Sequence, residues 1–385
     1  MPSTTEPQRG DALGSAAALA LLATAALDAR RRVTEDAVTG RESAEIAPPS
    51  DDVAAVMAQG GLKGKVDAFQ AARPVLAFPA GVIRKFGDDR GGRLAAVISY
   101  YSFFSLFPAM LALTTILGFV LENNKDLADD IRDSALAQFP VIGNEVGNSA
   151  SPLTGSVVAL VVGIAGAIWA GMGAAQASQD AMNTIWNVPR PEQPSFLAKR
   201  LRSLAVLVVI ALLFAANAVL PDLTGARTSG VLGLIVSIVA ASIVDAVIFA
   251  LVFRFLTARP LTWGQVWVGA LVAAVGYVLL QNFGTLYIDH VVKGAHDTYG
   301  TFATVIGLLT WLFLLGQWVI LAATINVVRH ERLWPRSLFR PPTTRADRRS
   351  QRGKMHEAKL TEHVEVGVEF DEPVEQPATP ARASR

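Results

Sequence analysis

Six long apolar stretches between residues 94 and 328 constrain this chain more than any other feature of its sequence. An α-helix rises about 1.5 Å per residue, so about 20 apolar residues cross the roughly 30 Å hydrocarbon core of a bilayer. Each stretch is long enough to do so. The buried helices of a soluble protein would keep one polar face, which these stretches lack. The sequence therefore predicts an all-α, polytopic membrane protein with six transmembrane helices.

The predicted spans divide the chain into four parts. They lie at about residues 94–121, 154–175, 203–221, 230–253, 264–287 and 300–327. Residues 1–63 are expected to form a mostly disordered tail, which could include an Ala-rich helix. Residues 64–93 have the pattern of an amphipathic segment at the membrane surface. The charged residues 329–385 are expected to form a second disordered tail.

Lysine and arginine are distributed unevenly among the predicted loops. They are concentrated before span 1, between spans 2 and 3 and between spans 4 and 5, whereas the remaining loops are acidic or poor in basic residues. Basic residues are retained on the cytoplasmic side, so these three loops are predicted to face the cytoplasm. An even number of spans then places both termini in the cytoplasm.

The overall composition indicates which partners to expect. A net charge of only +1 does not suggest nucleic-acid binding. The chain has no cysteine and its 5 histidines form no ligand-spaced cluster with carboxylates, so neither a metal site nor a cofactor is expected. The predicted partner is the lipid bilayer, with anionic headgroups at the basic loops. The sequence leaves open whether the chain forms a homo-oligomer.

Polar residues inside the apolar stretches are candidates for a functional site. Asp245 is the only charged side chain well inside a predicted span, where an aspartate costs about 2.5–3.5 kcal/mol on insertion. It should therefore face a polar cavity as a site for an ion, a proton or a headgroup, or hold two helices together by a hydrogen bond. Both interpretations stay open. The other candidates for an intramembrane polar site are Tyr101, Ser102, Asn217, Gln281 and Asn326.

Several short motifs indicate a family. Span 1 ends its aromatic stretch in Ser-Leu-Phe-Pro at residues 105–108, and AMNTIWNV follows span 2 at residues 181–188. Together with later matches, these motifs resemble the YihY/virulence factor BrkB family of bacterial inner-membrane proteins. The resemblance covers about residues 84–329 and implies a multi-pass protein of the bacterial cytoplasmic membrane. Its motif positions here are Ser105, Pro108, Asn183, Trp263, Tyr299, Gly300 and Trp311.

The resemblance has two departures and leaves three classes of function. Asp245 stands where an asparagine is expected in span 4. Thr324 stands where the family typically has a glutamate, so a mechanism based on that acid does not transfer. A transporter or flippase for an unidentified anionic or lipid substrate would use the polar residues around Asp245. A non-transporting envelope scaffold would use the same helices for packing. The family was once labelled ribonuclease BN, but RNA hydrolysis needs metal ligands or an acid–base pair that this sequence lacks. The first class is favoured, and enzymatic activity is not expected.

Overall fold

The computed structural model describes residues 61–120, 157–223, 231–287, 301–339 and 344–361. All of these residues belong to one compact unit, residues 55–385. They are helical apart from short connections, and no strand occurs among them. The helices are α1 (Gly61–Ala71), α2 (Pro74–Asp88), α3 (Gly91–Val120), α4 (Val157–Ile185), α5 (Phe196–Leu223), α6 (Val231–Leu256), α7 (Trp263–Tyr287), α8 (Thr301–His330) and α9 (Arg345–Glu357), with a short 3-10 helix at Arg190–Glu192.

Helices α3 to α8 correspond to the six predicted spans and pack as a closed ring. Helix α3 packs against α4 and α8, α7 against α6 and α8, and α5 against α4 and α6. Helix α4 also contacts α6 and α8. Small residues allow the closest of these contacts: a Cβ added to Gly163 of α4 would lie 3.3 Å from the backbone of Ala112 in α3. Because of this order, the N-terminus of α3 lies at the same end of the ring as the α4–α5 and α6–α7 connections.

Four of the described helical stretches have the length and hydropathy of a membrane span. They are Gly91–Ala112, Val161–Ile185, Trp263–Gln281 and Phe302–His330. Large apolar side chains cover their outer surfaces: Trp169, Val161 and Phe302 are 72, 61 and 64% exposed. Such a surface is suited to lipid, and the helices satisfy their own backbone hydrogen bonds, as a bilayer requires. The chain is therefore a multi-pass helical membrane protein.

Two helices precede the ring where the sequence predicted one amphipathic segment. Pro74 lies in the first turn of α2, where its missing N–H leaves no helical hydrogen bond unmade. Apolar side chains of both helices are exposed, including Phe69, Val75 and Ile83 at 53, 83 and 66%. Their location at the membrane surface stays a prediction.

The C-terminal segment corrects one expectation from the sequence. Residues 331–339 are ordered and residues 345–357 form α9, so the expectation of disorder is wrong for this part of the tail. Helix α9 begins with a capping box, in which the Thr344 hydroxyl accepts from Asp347 N–H at 3.0 Å. The basic residues of this segment do not prevent folding, because Arg336 pairs with Asp88 and Asp347. Lys354 of α9 pairs with Asp89, the residue directly after α2. The predicted tails at 1–60 and 362–385 lie outside the described residues.

Candidate functional site

Asp245 lies in a small polar cluster between α6 and α7. Its side chain is almost fully buried, at 8% exposure, although it belongs to a long apolar helix. The hydroxyl of Tyr277 in α7 is close enough to experience the charge of Asp245. Gln281, one turn further along α7, donates from Nε2 to the Tyr277 hydroxyl at 2.9 Å. The ring of Phe249 packs on Tyr277 with a centroid separation of 6.1 Å. We call Asp245, Tyr277 and Gln281 the Asp245 cluster.

The structure brings two of the six candidate polar residues, Asp245 and Gln281, to this cluster. Tyr101 and Ser102 lie on α3, where Tyr101 borders α4: a Cβ added to Gly173 would lie 3.0 Å from its ring. The carbonyl of Ser102 accepts a hydrogen bond of 2.8 Å from the hydroxyl of Ser105. Asn217 belongs to α5, and its side chain lies outside the described residues.

Asn326 joins α8 to α7 at a different level of the ring. Its Oδ1 accepts from Gly269 N–H at 2.7 Å, and its side chain is buried. A Cβ on Gly269 would overlap the Asn326 amide and the Ala322 carbonyl, so only glycine permits this approach. Nearby, the Thr324 hydroxyl donates to the Ile320 carbonyl of its own helix at 2.8 Å. At the position where the family typically has an acid, Thr324 is thus satisfied within its own helix, and no described residue of another helix is its partner.

The motif residues occupy structural positions around the ring. Asn183 Oδ1 accepts from Ala258 N–H at 2.8 Å, which ties the end of α4 to the α6–α7 connection. Trp311 is 1% exposed and packs with Phe103 and Leu106 of α3 in an apolar cluster. The other described motif residues are Ser105, Pro108 and Trp263, whereas Tyr299 and Gly300 lie outside the described residues.

A buried ion cluster is formed by Lys85, Asp89 and Lys354. It lies at the end of the ring where α3 begins, and we call this end of the ring the basic end. Lys85 Nζ lies 2.8 and 2.7 Å from the two carboxylate oxygens of Asp89, and neither side chain is exposed. Lys354 of α9 reaches Asp89 Oδ1 at 2.6 Å. Lys85 also donates to Asn187 Oδ1 at 3.2 Å. Asn187 has a φ of 50°, a left-handed conformation that asparagine tolerates better than most residues.

The charges of this cluster are tuned by burial and by each other. Burial lowers the pKa of Lys85 and the Asp89 charge opposes that change. Burial raises the pKa of Asp89, against the attraction of Lys85 and Lys354. For Lys354, burial is the largest influence and acts to lower the pKa, but the charges of Asp89 and Glu357 and the hydrogen bonds to them together raise it above its ordinary value. Two ammonium groups thus share one buried carboxylate, and one of them comes from α9.

A second set of contacts fixes α9 and residues 336–338 against α1 and α2. Arg336 pairs with Asp88 and Asp347, each at 2.8 Å. Asp67 of α1 accepts from the Ser337 hydroxyl and the Leu338 N–H, both at 3.0 Å. Sequence reasoning missed these contacts and the ion cluster. The spacing of Thr344 and Asp347 was the one local signal that could have indicated α9.

Two arginine–tryptophan pairs flank the start of α7 at the basic end. Arg254 of α6 lies over Trp263 and Arg329 of α8 lies over Trp267, each with its guanidinium carbon 5.4 Å from the ring centroid. Arg329 also donates to the Gly264 carbonyl at 3.0 Å. Among the described residues, no group of three or more His, Asp or Glu side chains is placed to hold a metal ion.

The ring of long apolar helices defines a polytopic α-helical membrane protein, and comparison with known sequences identifies its family. The chain belongs to the virulence factor BrkB family, whose model matches residues 82–347. The resemblance inferred from the motifs is thus confirmed. The matched region contains α3 to α8 and the Lys85–Asp89 pair. Lys354, which completes the ion cluster, lies beyond it.

Relatives of known name are distant in sequence. The chain is 22% identical over 270 residues to the ribonuclease-like protein YfkH of Bacillus subtilis, covering 67% of this chain and 96% of that protein. It is also 22% identical over 276 residues to the inner membrane protein YhjD of Escherichia coli, covering 65% and 80%. No solved structure matches.

Proposed function

We propose that this chain is a six-span transporter or flippase-like protein of the inner membrane, with both termini in the cytoplasm and an anionic or lipid substrate. The observation that carries the proposal is the Asp245 cluster. A carboxyl group lies near a hydrogen-bonded phenol and amide there, between two helices, and intramembrane acids of this kind commonly serve proton or substrate pathways.

The chemistry of the cluster suits proton exchange. Gaining or losing a proton changes the charge of Asp245 by one unit, and Tyr277 and Gln281 offer hydrogen-bond partners to either form. An ionised Asp245 would repel an anionic substrate, whereas a protonated one would not. Protonation would therefore control when an anion passes this level of the ring.

The proposed orientation is supported by the contacts at the basic end. Arg202 donates to the Thr257 carbonyl at 3.1 Å, and Arg329 donates to Gly264. The described connections that are rich in arginine and lysine therefore lie together at one end, as retention of basic residues in the cytoplasm requires. A concentration of positive charge there would also attract an anionic substrate or headgroup.

Transport by the purified protein in liposomes tests the proposal. Fluorescent phosphatidylglycerol would be the probe, with chemical quenching of the outer leaflet as the readout. We expect the wild type to move the probe faster than protein-free vesicles, and Asp245→Asn to abolish the increase. Asp180→Asn is a matched control, because its side chain is 65% exposed and paired with Lys199 at the basic end. Equal rates for the wild type, Asp245→Asn and empty vesicles would contradict lipid transport and favour a scaffold.

A further inference from the structure

The outer face of α7 carries a continuous row of exposed apolar side chains. The row starts with Trp263 and Trp267, which are 52 and 51% exposed, and continues at four-residue spacing. Its remaining members are Leu271, Val275 and Leu279, at 46, 47 and 49%. Residues at i and i+4 are neighbours on a helix surface, and such a row runs at roughly 26° to the helix axis. The row is therefore a ridge on the outside of the ring, flanked by α6 and α8.

The tryptophan end of this ridge has positive charge on both sides. Arg254 approaches Trp263 from α6, and Arg329 approaches Trp267 from α8. Both arginines are exposed, and neither pairs with a carboxylate in the part of the chain that the structure describes. Their positive charges are therefore available to an external anion, and the two tryptophans hold them at the same end of the ridge.

The dimensions and chemistry of the ridge match one phospholipid. Along the helix axis, 12 residues separate Trp267 from Leu279, which corresponds to about 18 Å. One leaflet of the hydrocarbon core is about 15 Å thick, half of the full core. Tryptophan prefers the level of the headgroups, and arginine is suited to bidentate contact with phosphate. The apolar row would then lie beside the acyl chains of a lipid whose headgroup contacts the arginines.

We propose that Arg254, Arg329, Trp263 and Trp267 form a binding site for the headgroup of an anionic phospholipid, with its acyl chains along Leu271, Val275 and Leu279. The unpaired positive charge selects an anionic over a zwitterionic headgroup, and the apolar row selects a lipid over a soluble phosphate. The site lies on the outer wall of the ring and does not involve the Asp245 cluster. Lipid binding at this site is therefore separate from the proposed transport, and we expect it whether or not the protein moves a substrate.

Native mass spectrometry of the full chain in detergent, titrated with phosphatidylglycerol or phosphatidylcholine, tests this site. Each arginine near an anionic surface contributes roughly a factor of five, so Arg254→Gln with Arg329→Gln should weaken phosphatidylglycerol binding by about 25-fold. The wild type should bind phosphatidylcholine much less tightly than phosphatidylglycerol. The Arg254 and Arg329 variant keeps the Asp245 cluster intact, so a loss of binding in that variant reports this site and not the proposed transport pathway.

The matched control is Arg93→Gln with Arg190→Gln. It removes the same charge from exposed arginines at the basic end that contact no aromatic ring in the described part of the chain. We expect less than about a threefold effect for this control. Equal losses in the two double variants, or equal binding of the two lipids by the wild type, would overturn the proposal. If the Arg254 and Arg329 variant does not fold, Trp263→Leu with Trp267→Leu changes only half-exposed side chains, and its unaltered binding would overturn the proposal too.

Discussion

Replacing Asp89 with asparagine should release α9 from the basic end. Among the described residues, Asp89 is the one carboxylate that Lys85 contacts directly, and neither side chain is exposed to solvent. Removing one partner of a buried ion pair costs about 3–5 kcal/mol, because the other charge stays buried without compensation. Lys354 loses its 2.6 Å contact in the same change. Undocking of α9 would let water reach Lys85, so the structure should relieve the cost by opening there.

The magnitude predicts a large change in local opening. At about 1.36 kcal/mol for each factor of ten, 3–5 kcal/mol raises the open population by roughly 150-fold to 5,000-fold. Helix α9 contains five basic residues at which trypsin cleaves. Where opening and closing are fast, the rate of proteolysis follows the population of the open form. Cleavage within α9 in the detergent-solubilised protein therefore measures the effect directly.

Two further variants show whether the buried charge is the cause. Lys354→Met keeps the Lys85–Asp89 pair and removes a side chain that is 23% exposed, so its effect should be only about fivefold. Lys85→Met combined with Asp89→Leu removes both buried charges and should restore most of the resistance to trypsin. The reasoning would be refuted if trypsin cleaved Asp89→Asn at the wild-type rate, or if the double variant did not recover resistance to trypsin.

Two other predictions test packing and pH dependence. Gly276→Ala adds a Cβ that overlaps the Trp318 indole, whose Nε1 donates to the Val272 carbonyl at 3.1 Å. It should destabilise the protein by about 1–3 kcal/mol in a thermal aggregation assay, whereas Gly264→Ala, with nothing within 4 Å, should not. Lys354 has a pKa above its ordinary 10.5, because Asp89 and Glu357 together favour the charged form by more than burial disfavours it. The contribution of Lys354 to the docking of α9 is complete below pH 10.5 and is lost as the pH rises through the raised pKa. Spin labels on Gly87→Cys and Met355→Cys should report a fixed distance at neutral pH and a larger open fraction above that pKa. Loss of the fixed distance below pH 9 would contradict this prediction.

The helical ring was predictable because each apolar stretch determines its own helix. The sequence predicted spans at 94–121 and 264–287, and the corresponding helices are Gly91–Val120 and Trp263–Tyr287. Length and hydropathy are local properties, so no knowledge of the partner helices is needed to find these boundaries.

The ordered C-terminal segment was not predictable in the same way. Ser337 meets Asp67 across 270 positions of sequence, and Lys354 meets Asp89 across a comparable distance. A run of basic residues indicates disorder when its neighbours in sequence are considered alone. Order here depends on carboxylates of α1 and α2 that only the folded chain brings close.

The candidate site was predictable only in part, because only one of its residues stands out from its neighbours in sequence. An acid inside an apolar stretch is visible in the sequence, so Asp245 could be identified. Its neighbour Tyr277 was not identified, because a tyrosine in a span is most simply interpreted as a packing residue. The ring places it opposite Asp245, since α6 and α7 are adjacent.

Access of water to the Asp245 cluster is the most direct test of the proposed transport. The chain contains no cysteine, so single cysteines can be introduced without background. Ser242 and Phe249 lie one turn before and after Asp245 on the same face of α6, whereas Ile243 and Val247 face outward at 61 and 47% exposure. With the protein in the membrane, a water-soluble thiol reagent should modify Ser242→Cys and Phe249→Cys but neither Ile243→Cys nor Val247→Cys. Protection of all four positions would contradict a polar pathway and leave Asp245 as a contact that holds two helices together.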